Sequence, residues 1–516
     1  MTAKAFTVAF DGIDARLVEV QCAISAGVPA FTVVGLPDKA VSEARERVRA
    51  APTALAISLP SARIAINLSP ADLPKEGAHF DLAIALAVLA ELEVIPKEAV
   101  EGTVAMGELA LDGRLIGVIG ALPAAIAAGA EARTLMCPRD SGAEAAWVGS
   151  VEVLAPATLT QALEHFNGRA PLSPARAGEV VTAPGARCLS EVRGQERAKR
   201  ALEIAAAGRH HLLLIGPPGA GKSMLAARLP GILPPLSPVE ALQTSMIHSV
   251  AGMISEGGIE RTRPFREPHH TASTPAIVGG GRGAKPGEIS LAHNGVLFLD
   301  EFPEFPRQVL ETLRQPIETG EVTVARANAH VRYPCRFLLV AAANPCRCGH
   351  LADPRRACAR APACGEDYMG RISGPLMDRF DLRIDVPAVS CSDLDLPAGG
   401  ETSATVAARV AEARALQEAR YADDPGALCN ADAAGDTLDR VATPDAEGRA
   451  LLQDVAGRFG LSARGYHRVL RVARTIADLD GQETVARAHV AEAIGFRLVR
   501  TPRDALPPEL PRAVGQ

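Results

Sequence analysis

The feature that most constrains this chain is a glycine-rich segment between an apolar run and a helical pattern. Residues Gly216–Ser223 read GPPGAGKS, which matches G-x-x-x-x-G-K-[ST] in full, and they lie between Leu212–Ile215 and the helical pattern Met224–Leu229. Such a strand–loop–helix unit binds phosphate, because glycines let backbone N–H groups surround phosphate oxygens and the helix N-terminus favours negative charge. A glycine turn that binds nothing is the alternative, and the combination of strand, lysine and helix favours phosphate binding. The predicted phosphate-binding residues are Gly216, Pro217, Pro218, Gly219, Ala220, Gly221, Lys222 and Ser223.

Individual side chains of this loop and of a second motif have predicted roles in ATP hydrolysis. Lys222 is expected to reach the β- and γ-phosphates, and the Ser223 hydroxyl to ligate Mg²⁺. The buried-type strand Val296–Leu299 ends in Asp300 and Glu301. Open α/β sheets bind ligands at the carboxyl ends of their strands. Asp300 is therefore predicted to hold Mg²⁺, and Glu301 to orient and deprotonate the attacking water.

Three further polar residues are candidates for the same site. Asn344 follows the apolar run Phe337–Ala342 and is predicted to bind the γ-phosphate or the lytic water, although asparagine before proline is also common in turns. Arg379, within Ser373–Asp381, is a candidate arginine finger for a neighbouring subunit, with an ordinary salt bridge as the alternative. Arg464, near the start of another helical pattern, is a candidate second phosphate sensor.

The length and patterning of the chain predict several domains. A chain of 516 residues is too long for one hydrophobic core, so two to four domains are expected. Alternating apolar segments such as Phe6–Phe10 predict strands, and Phe80–Leu92 predicts a helix. We predict an α/β domain over residues 1–165, a linker over 166–187, a core with a parallel sheet over 188–390 and a helical domain over 391–516.

Composition limits the surroundings and partners of the protein. A net charge of −6 argues against a nucleic-acid coat, but it leaves room for a motor that touches nucleic acid through a few residues. Residues Met1–Gly12 lack a secretory signal pattern, and no apolar stretch is long enough for a membrane span. We therefore expect a cytoplasmic protein without a membrane partner.

Taken together, these motifs resemble those of the magnesium-chelatase-like AAA+ ATPases of the ComM/YifB family. The resemblance covers nearly the whole chain. It implies an α/β fold class, with a Lon-protease-like (ribosomal S5-like) N-terminal domain, an AAA+ P-loop core with a parallel sheet and a helical C-terminal lid. The stretches that carry it are Val33–Asp38, Lys75–Asp81, Gly107–Gly113, Arg193–Ala207, Phe265–Ser273, Gly287–Glu301, Leu313–Ala325, Ser373–Asp381 and Ser462–Asp478.

The resemblance also implies a function and further residue roles. It implies a homohexameric ring with ATP between subunits, and a DNA motor for branch migration while incoming single strands recombine during natural transformation. Single-stranded or branched DNA and recombination proteins are the implied partners. Gln195 would lie near the adenine, Arg379 would act in trans, and Arg464 would be the sensor of the lid.

By the same resemblance, the segments Pro264–Gly283 and Glu321–His330 are similar to inserted loops that line the pore of the ring. A hydrogen-bonded structural pair is an equally good interpretation of the two adjacent histidines in the first segment. The candidates for DNA contact are Arg266, His269, His270, Arg282, Lys285 and Arg326.

The N-terminal domain lacks the residues that Lon-type proteolysis needs. That chemistry uses a serine nucleophile activated by a lysine. Here Ala78 stands where the serine would be expected, and no lysine occurs between Lys97 and Lys199. We therefore expect no peptidase activity.

A cluster of cysteines follows Asn344. Cys346, Cys348, Cys358 and Cys364 could form a tetrahedral Zn²⁺ site, although their spacing differs from that of the usual C-x₂-C knuckle. A loop with reduced cysteines is the alternative. We therefore expect ATP and Mg²⁺ as cofactors and leave structural Zn²⁺ open.

Two rival functions remain at this stage. One is the ATPase motor subunit of a metal chelatase, and the other is a protein-remodelling AAA+ chaperone. The Lon-like N-terminal domain argues against the first, because the chelatase motor subunit is essentially the core with its lid. The second would need an aromatic pore signature that this sequence does not show.

Overall fold

The computed structural model describes most of the chain as three packed regions. The described residues are 2–181, 187–254, 257–281, 284–325, 330–351, 355–389, 400–424 and 426–497.

The N-terminal region is an α/β structure built on a mixed seven-stranded sheet in the order β3-β4-β2-β1-β5-β8-β9. The pairs β1/β2 and β2/β4 are antiparallel, and the other four pairs are parallel. Its elements are β1 Ala3–Asp11, β2 Asp14–Ser25, β3 Ala30–Val34, α1 Lys39–Ala54, β4 Arg63–Ser69, α2 Phe80–Glu91, α3 Lys97–Glu101, β5 Thr103–Ala105, β6 Glu108–Leu109, β7 Leu115–Ile116, α4 Ala121–Ala130, β8 Thr134–Met136, α5 Arg139–Ala145, β9 Val153–Leu154 and α6 Leu159–Phe166.

Helix α2 forms the centre of this region because its sequence is apolar on every face. All of its residues except Glu91 are buried, including the carboxylate of Asp81. Arg47 from α1 donates to both carboxylate oxygens of Asp81, at 2.5 and 3.0 Å. A charge buried this deeply needs such a partner, so the pair sets how α1 packs on α2.

The central region contains a five-stranded parallel sheet in the order β13-β16-β19-β11-β20. Its elements, with the preceding short strand β10, are β10 Val180–Val181, α7 Glu196–Gly208, β11 Leu212–Ile215, α8 Lys222–Ala226, α9 Pro238–Ala251, β12 Ile259–Glu260, β13 Phe265–Arg266, α10 Thr274–Val278, β14 Gly279–Gly280, β15 Lys285–Pro286, α11 Glu288–Leu291, β16 Val296–Leu299, α12 Arg307–Thr312, α13 Arg314–Thr319, β17 Glu321–Ala325, β18 His330–Pro334, β19 Leu338–Ala343, α14 Ala363–Met369, α15 Gly374–Met377 and β20 Leu382–Asp385.

The apolar strands of this sheet are covered on both faces. Along β16, Val296 and Phe298 join one hydrophobic cluster, and Leu297 and Leu299 join the other. A strand buried on both sides has to be continuously apolar, which is why the sequence predicted β11, β16 and β19. The helix after the glycine-rich loop differs from the prediction, since it begins at Lys222 and ends at Ala226.

The C-terminal region is helical, as predicted. Its helices are α16 Ser403–Arg420, α17 Gly435–Ala442, α18 Ala446–Phe459, α19 Ala463–Leu479 and α20 Arg487–Arg497. Helix α19 begins where the pattern placed it, because the Ser462 hydroxyl accepts a hydrogen bond from the Gly465 amide at 3.1 Å. Its buried face shares one hydrophobic cluster with α7 and the sheet, so this region packs directly on the central region.

The N-terminal and central regions contact each other along α9 and β12. The Trp147 indole donates to the Gly257 carbonyl at 2.8 Å, and the Ser249 hydroxyl donates to Glu144 at 2.5 Å. Strand β10, from the predicted linker, pairs with β12. Residues 182–186 of that linker lie outside the described residues.

Among the residues that the structure describes, no helix is long and apolar enough to cross a membrane.

Candidate nucleotide-binding site

The glycine-rich loop lies between β11 and α8, at the carboxyl edge of the sheet. Gly219 and Gly221 have φ angles of +78° and +87°, a conformation that residues with a Cβ rarely adopt. The loop therefore curls as a phosphate cradle requires. Strand β19 lies beside β11, and β16 lies beside β19, so residues that follow all three strands meet at this edge.

The Lys222 ammonium group points into the loop. It donates to the carbonyls of Gly216 and Pro217 at 2.7 and 3.0 Å, and to Asn344 Oδ1 at 3.1 Å. Burial lowers the pKa of Lys222, while Asp300 and Glu301 act in the opposite direction. An ammonium held by neutral oxygens gains from exchanging them for phosphate oxygens, which carry charge.

Ser223 and Asp300 form a pair of oxygen ligands suited to Mg²⁺. The Ser223 hydroxyl donates to Asp300 Oδ2 at 2.5 Å. Adjacent oxygens in an octahedral Mg²⁺ shell lie about 2.9 Å apart, so only a small separation of this pair is needed to admit the ion. The donor set and its spacing fit the predicted magnesium site.

Glu301 occupies an unusual backbone conformation beside the loop. Its φ is +50°, its side chain is half-exposed, and its amide donates to Asp300 Oδ1 at 2.8 Å. Left-handed backbone at a residue other than glycine is strained, and such strain concentrates at functional sites. The turn separates the two carboxylates, so Asp300 contacts Ser223 while the Glu301 side chain is half-exposed.

A histidine that sequence reasoning assigned to DNA contact lies against Glu301. His270 Nδ1 is 3.1 Å from Glu301 Oε2. The contact arises because β13 pairs with β16, so the segment after β13 ends beside the segment after β16. Its neighbour His269 is exposed and hydrogen-bonds to Thr271 Oγ1 at 2.8 Å. The two adjacent histidines therefore have different surroundings.

Gln195 lies between the glycine-rich loop and the segment after β20. Its side-chain amide donates to the Pro387 carbonyl at 2.7 Å and to the Ala220 carbonyl at 3.4 Å. The residue borders a surface cleft of about 420 Å³, whose lining also includes Arg193 and Arg197. This cleft has room for a base beside the phosphate loop.

Arg379 is engaged within its own chain. Its side chain is 7% exposed, forms an ion pair with Glu318, and donates to the carbonyls of Pro375 and Arg314 at 2.5 and 3.2 Å. Burial lowers the pKa of Arg379, although Glu318 opposes the effect. A finger role requires this side chain to exchange Glu318 for a phosphate of the adjoining subunit.

Two arginines of the helical C-terminal region hydrogen-bond to the segment that carries Arg379. The sequence did not predict this contact. Arg468 donates to Asp381 Oδ1 at 2.6 Å and to the Arg379 carbonyl at 3.0 Å. Arg497 donates to the Phe380 carbonyl at 3.1 Å. Arg464 is exposed in the first turn of α19, one helical turn before Arg468. The helix with the predicted sensor thus also holds the segment with the predicted finger.

The predicted DNA-contact residues have varied surroundings. Arg266 forms a two-pronged ion pair with Glu288, at 2.6 and 2.8 Å. Lys285 is exposed on β15. Arg282 and Arg326 lie outside the described residues.

The cysteine cluster lies directly after the Asn344 turn. Cys346 and Cys348 sulfurs are 3.0 Å apart, and the sulfurs of Cys346, Cys348 and Cys364 all lie within 4.8 Å of one another. Hydrogen bonds from the Cys346 thiol and from neighbouring amides lower the pKa of Cys348 to about 6.

The parallel sheet, the glycine-rich loop and the Ser223–Asp300–Glu301 arrangement define a nucleotide-hydrolysing P-loop protein with a helical C-terminal region. Comparison with protein families gives the same class. The model described as magnesium chelatase, subunit ChlI, matches residues 188–394. That of subunit ChlI of Mg-chelatase matches 18–141, and that of the ChlI C-terminal part matches 400–497.

Similar proteins cover almost the full length. The Haemophilus influenzae protein named competence protein ComM is 43% identical over 94% of this chain and 95% of its own. The Escherichia coli protein YifB is 42% identical over 95% of both chains. The magnesium-chelatase 38 kDa subunit of Cereibacter sphaeroides is 28% identical, over 61% of this chain and 93% of its own. The chain belongs to the ComM/YifB family and is a magnesium-chelatase-like AAA+ ATPase.

Proposed function

We propose that this protein is an ATP-driven DNA motor that assembles as a homohexamer and promotes branch migration when incoming DNA recombines during natural transformation. The observation that carries the proposal is the 43% identity, over 94% of the chain, with a protein named competence protein ComM. The hydrolytic site adds support, because Lys222, Ser223 and Asp300 meet in the arrangement that phosphoryl transfer requires.

In the proposed hydrolysis each side chain has one task. Lys222 leaves its carbonyl partners for the β- and γ-phosphates, and Asn344 positions the γ-phosphate or the attacking water. Ser223 and Asp300 hold Mg²⁺, which neutralises charge on the phosphates. Glu301 accepts the proton of the attacking water. His270 holds the Glu301 carboxylate until the γ-phosphate is in place.

The proposed ring places each ATP between two subunits. Gln195 contacts the adenine in the cleft beside the loop, and Arg464 of the same subunit senses the phosphates. Arg379 of the adjoining subunit reaches the γ-phosphate after leaving Glu318. Half-exposed Glu318 can remain solvated after this exchange, which keeps its cost low.

We assign the DNA-contacting surface to the hairpins β14–β15 and β17–β18 of the central region. Lys285 is an exposed cation among the described residues of the first hairpin, and His269 is exposed on the segment before it. Arg266 is held by Glu288, so it supports the segment and is the weaker candidate for contact. Recombination proteins are the proposed partners. The cytoplasm is the proposed location, and a structural Zn²⁺ joins ATP and Mg²⁺ as a proposed cofactor.

The experiment compares ATP turnover and strand exchange in the wild type, Glu301→Gln and a control, Glu447→Gln, at the exposed start of α18. We expect single-stranded or branched DNA to stimulate turnover in the wild type and the control. Glu301→Gln should bind ATP without hydrolysing it and leave a labelled branch point unmoved. If no DNA changes the rate of ATP turnover in the wild type, the motor proposal is wrong. If Glu301→Gln hydrolyses ATP at the normal rate, Glu301 is not the catalytic base.

A metal-chelatase motor subunit is the second candidate, because the 38 kDa chelatase subunit matches 61% of this chain. Its lower identity and shorter match make it the weaker candidate. A chelatase motor would hydrolyse ATP without regard to DNA and would bind partner subunits of an insertion complex. Stimulation by DNA in the assay above decides between the two.

A further inference from the structure

Four cysteines from two short segments lie beside the ATP site. The sulfurs of Cys346, Cys348 and Cys364 lie within 4.8 Å of one another. Cys358 begins the turn that leads into Cys364, since its carbonyl accepts a hydrogen bond from the Ala361 amide at 3.0 Å. Residues 352–354, in the connection between the segments, lie outside the described residues, whereas all four cysteines are described.

The backbone around the first pair has the shape of a metal-binding turn. The Gly349 amide donates to the Cys346 carbonyl at 3.0 Å, and Gly349 has a φ of +82°. The Cys346 and Cys348 sulfurs lie 3.0 Å apart, so both can face one ion. Thiolate is the form of cysteine that binds metal.

The sulfur spacing fits a metal better than it fits a disulfide. A disulfide requires sulfurs about 2.05 Å apart, whereas Cys346 and Cys348 are 3.0 Å apart. Four sulfurs around one Zn²⁺, each about 2.3 Å from the ion, lie about 3.8 Å from each other. The observed spread requires only small shifts to reach this tetrahedron, and thiolate ligands select zinc over Mg²⁺.

We infer that Cys346, Cys348, Cys358 and Cys364 bind one structural Zn²⁺ and that the ion holds the phosphate loop in its binding conformation. Binding releases to solvent the protons of those cysteines that are still thiols and leaves a Zn²⁺–tetrathiolate centre, with no change in oxidation state. The positions of the ligands relative to the ATP site carry the second half of the inference.

The loop with the first two cysteines packs against the phosphate loop. A Cβ at Gly349 would lie 2.6 Å from Pro218 Cδ, so the two loops are in direct contact there. Asn344, two residues before Cys346, accepts the hydrogen bond from Lys222 at 3.1 Å. A metal at Cys346 and Cys348 therefore fixes both the backbone under Pro218 and the turn that presents Asn344.

The first test measures the metal itself in the full-length protein purified without chelator. We expect about one zinc per chain, lost in Cys348→Ser and in Cys364→Ser but kept in Cys188→Ser, a half-buried cysteine outside the cluster. Co²⁺ exchanged for zinc should give the visible absorption of a tetrahedral thiolate site. Zinc far below one per chain together with no tetrahedral Co²⁺ spectrum would overturn the inference.

The second test measures ATP binding, and this half of the inference rests on the proposed function. Removing zinc, or substituting Cys348→Ser, should weaken equilibrium ATP binding about tenfold, the lower end of the loss seen when the support around a site is removed. The control Cys188→Ser should bind ATP like the wild type. If zinc-free protein binds ATP with the affinity of the zinc-bound protein, the inference that the ion holds the phosphate loop is wrong.

The two proposals fail in different ways. Lys222→Ala should abolish ATP binding and keep its zinc, because Lys222 contacts none of the four thiols. If the protein binds zinc and ATP but its ATP turnover does not respond to DNA, the proposed DNA-motor function is wrong and the proposed zinc site stands.

Discussion

Replacing Arg468 with methionine should loosen the contact between the helical C-terminal region and the strand β20. Asp381 is 4% exposed, and Arg468 supplies its closest partner at 2.6 Å. Without Arg468, the described hydrogen bond that remains to the Asp381 carboxylate comes from the His211 amide at 3.1 Å. His210 Nδ1 lies farther from the carboxylate, at 3.6 Å. Breaking a buried pair by removing one member costs about 3–5 kcal/mol, because the other charge stays buried.

The protonation of Asp381 gives a similar magnitude for the loss and makes it depend on pH. Burial alone would raise the pKa of Asp381, but Arg468 and two histidines hold it well below its ordinary value. In the wild type the pair therefore stabilises the fold at neutral pH and is lost only in acid below about pH 4. In Arg468→Met, Asp381 can avoid being a buried charge by taking up a proton. Protonating it costs about 4 kcal/mol at pH 7 and almost nothing near pH 4.

The assay is hydrogen exchange of the amides in β20 and the start of α19. A loss of 3–5 kcal/mol corresponds to exchange about 10² to 10⁴ times faster at pH 7, with a smaller increase at pH 5. Arg458→Met is the matched control, because its ion pair with Asp454 is exposed and is worth at most about 1 kcal/mol. An increase below tenfold in Arg468→Met, or one independent of pH, would refute this account of the Asp381 pair.

Three further predictions concern the site and its surroundings. His270→Ala should retain ATP binding but change the ratio of DNA-stimulated to basal turnover, because it frees the Glu301 carboxylate; an unchanged ratio, with the exposed Glu447→Gln as the control, would contradict this. Arg379→Ala subunits mixed into wild-type protein should lower turnover more than in proportion to their fraction, whereas Arg371→Ala, at an exposed ion pair, should not. Burial lowers the pKa of His293 to about 4, and its Nδ1 accepts the Arg336 amide, so the native state stays neutral while the unfolded chain gains a proton. His293 should therefore contribute a fall of about 3 kcal/mol in the unfolding free energy from pH 6.5 to pH 4. His293→Asn should make this part of the thermal-stability profile less steep but not flat, because burial also lowers the pKa values of His79 and His211 to about 4.

Local sequence patterns predicted the elements that line the site with good accuracy. The apolar runs before Gly216 and Asp300 became β11 and β16 as predicted. The start of α19 was also predicted correctly, and Ser462 explains it as an N-cap. Each of these features depends on residues within a few positions of one another, which is why the sequence alone revealed them.

The helix after the phosphate loop was placed two residues late. The pattern suggested Met224–Leu229, whereas α8 begins at Lys222. The error arose because the lysine and serine of the motif were assigned to the loop. In the folded protein they form the first helical turn, which is how the helix N-terminus comes to face the phosphates.

The sequence by itself determined the chemistry of this protein: a lysine and a serine on a glycine loop, and two carboxylates at the end of a buried strand. Only the tertiary structure decided which distant groups join them. His270 meets Glu301 because β13 pairs with β16, and Arg468 meets Asp381 because the helical C-terminal region packs on the sheet. Such contacts depend on the packing free energy of whole elements. No local pattern encodes that quantity, since one helical or strand period is compatible with many neighbours.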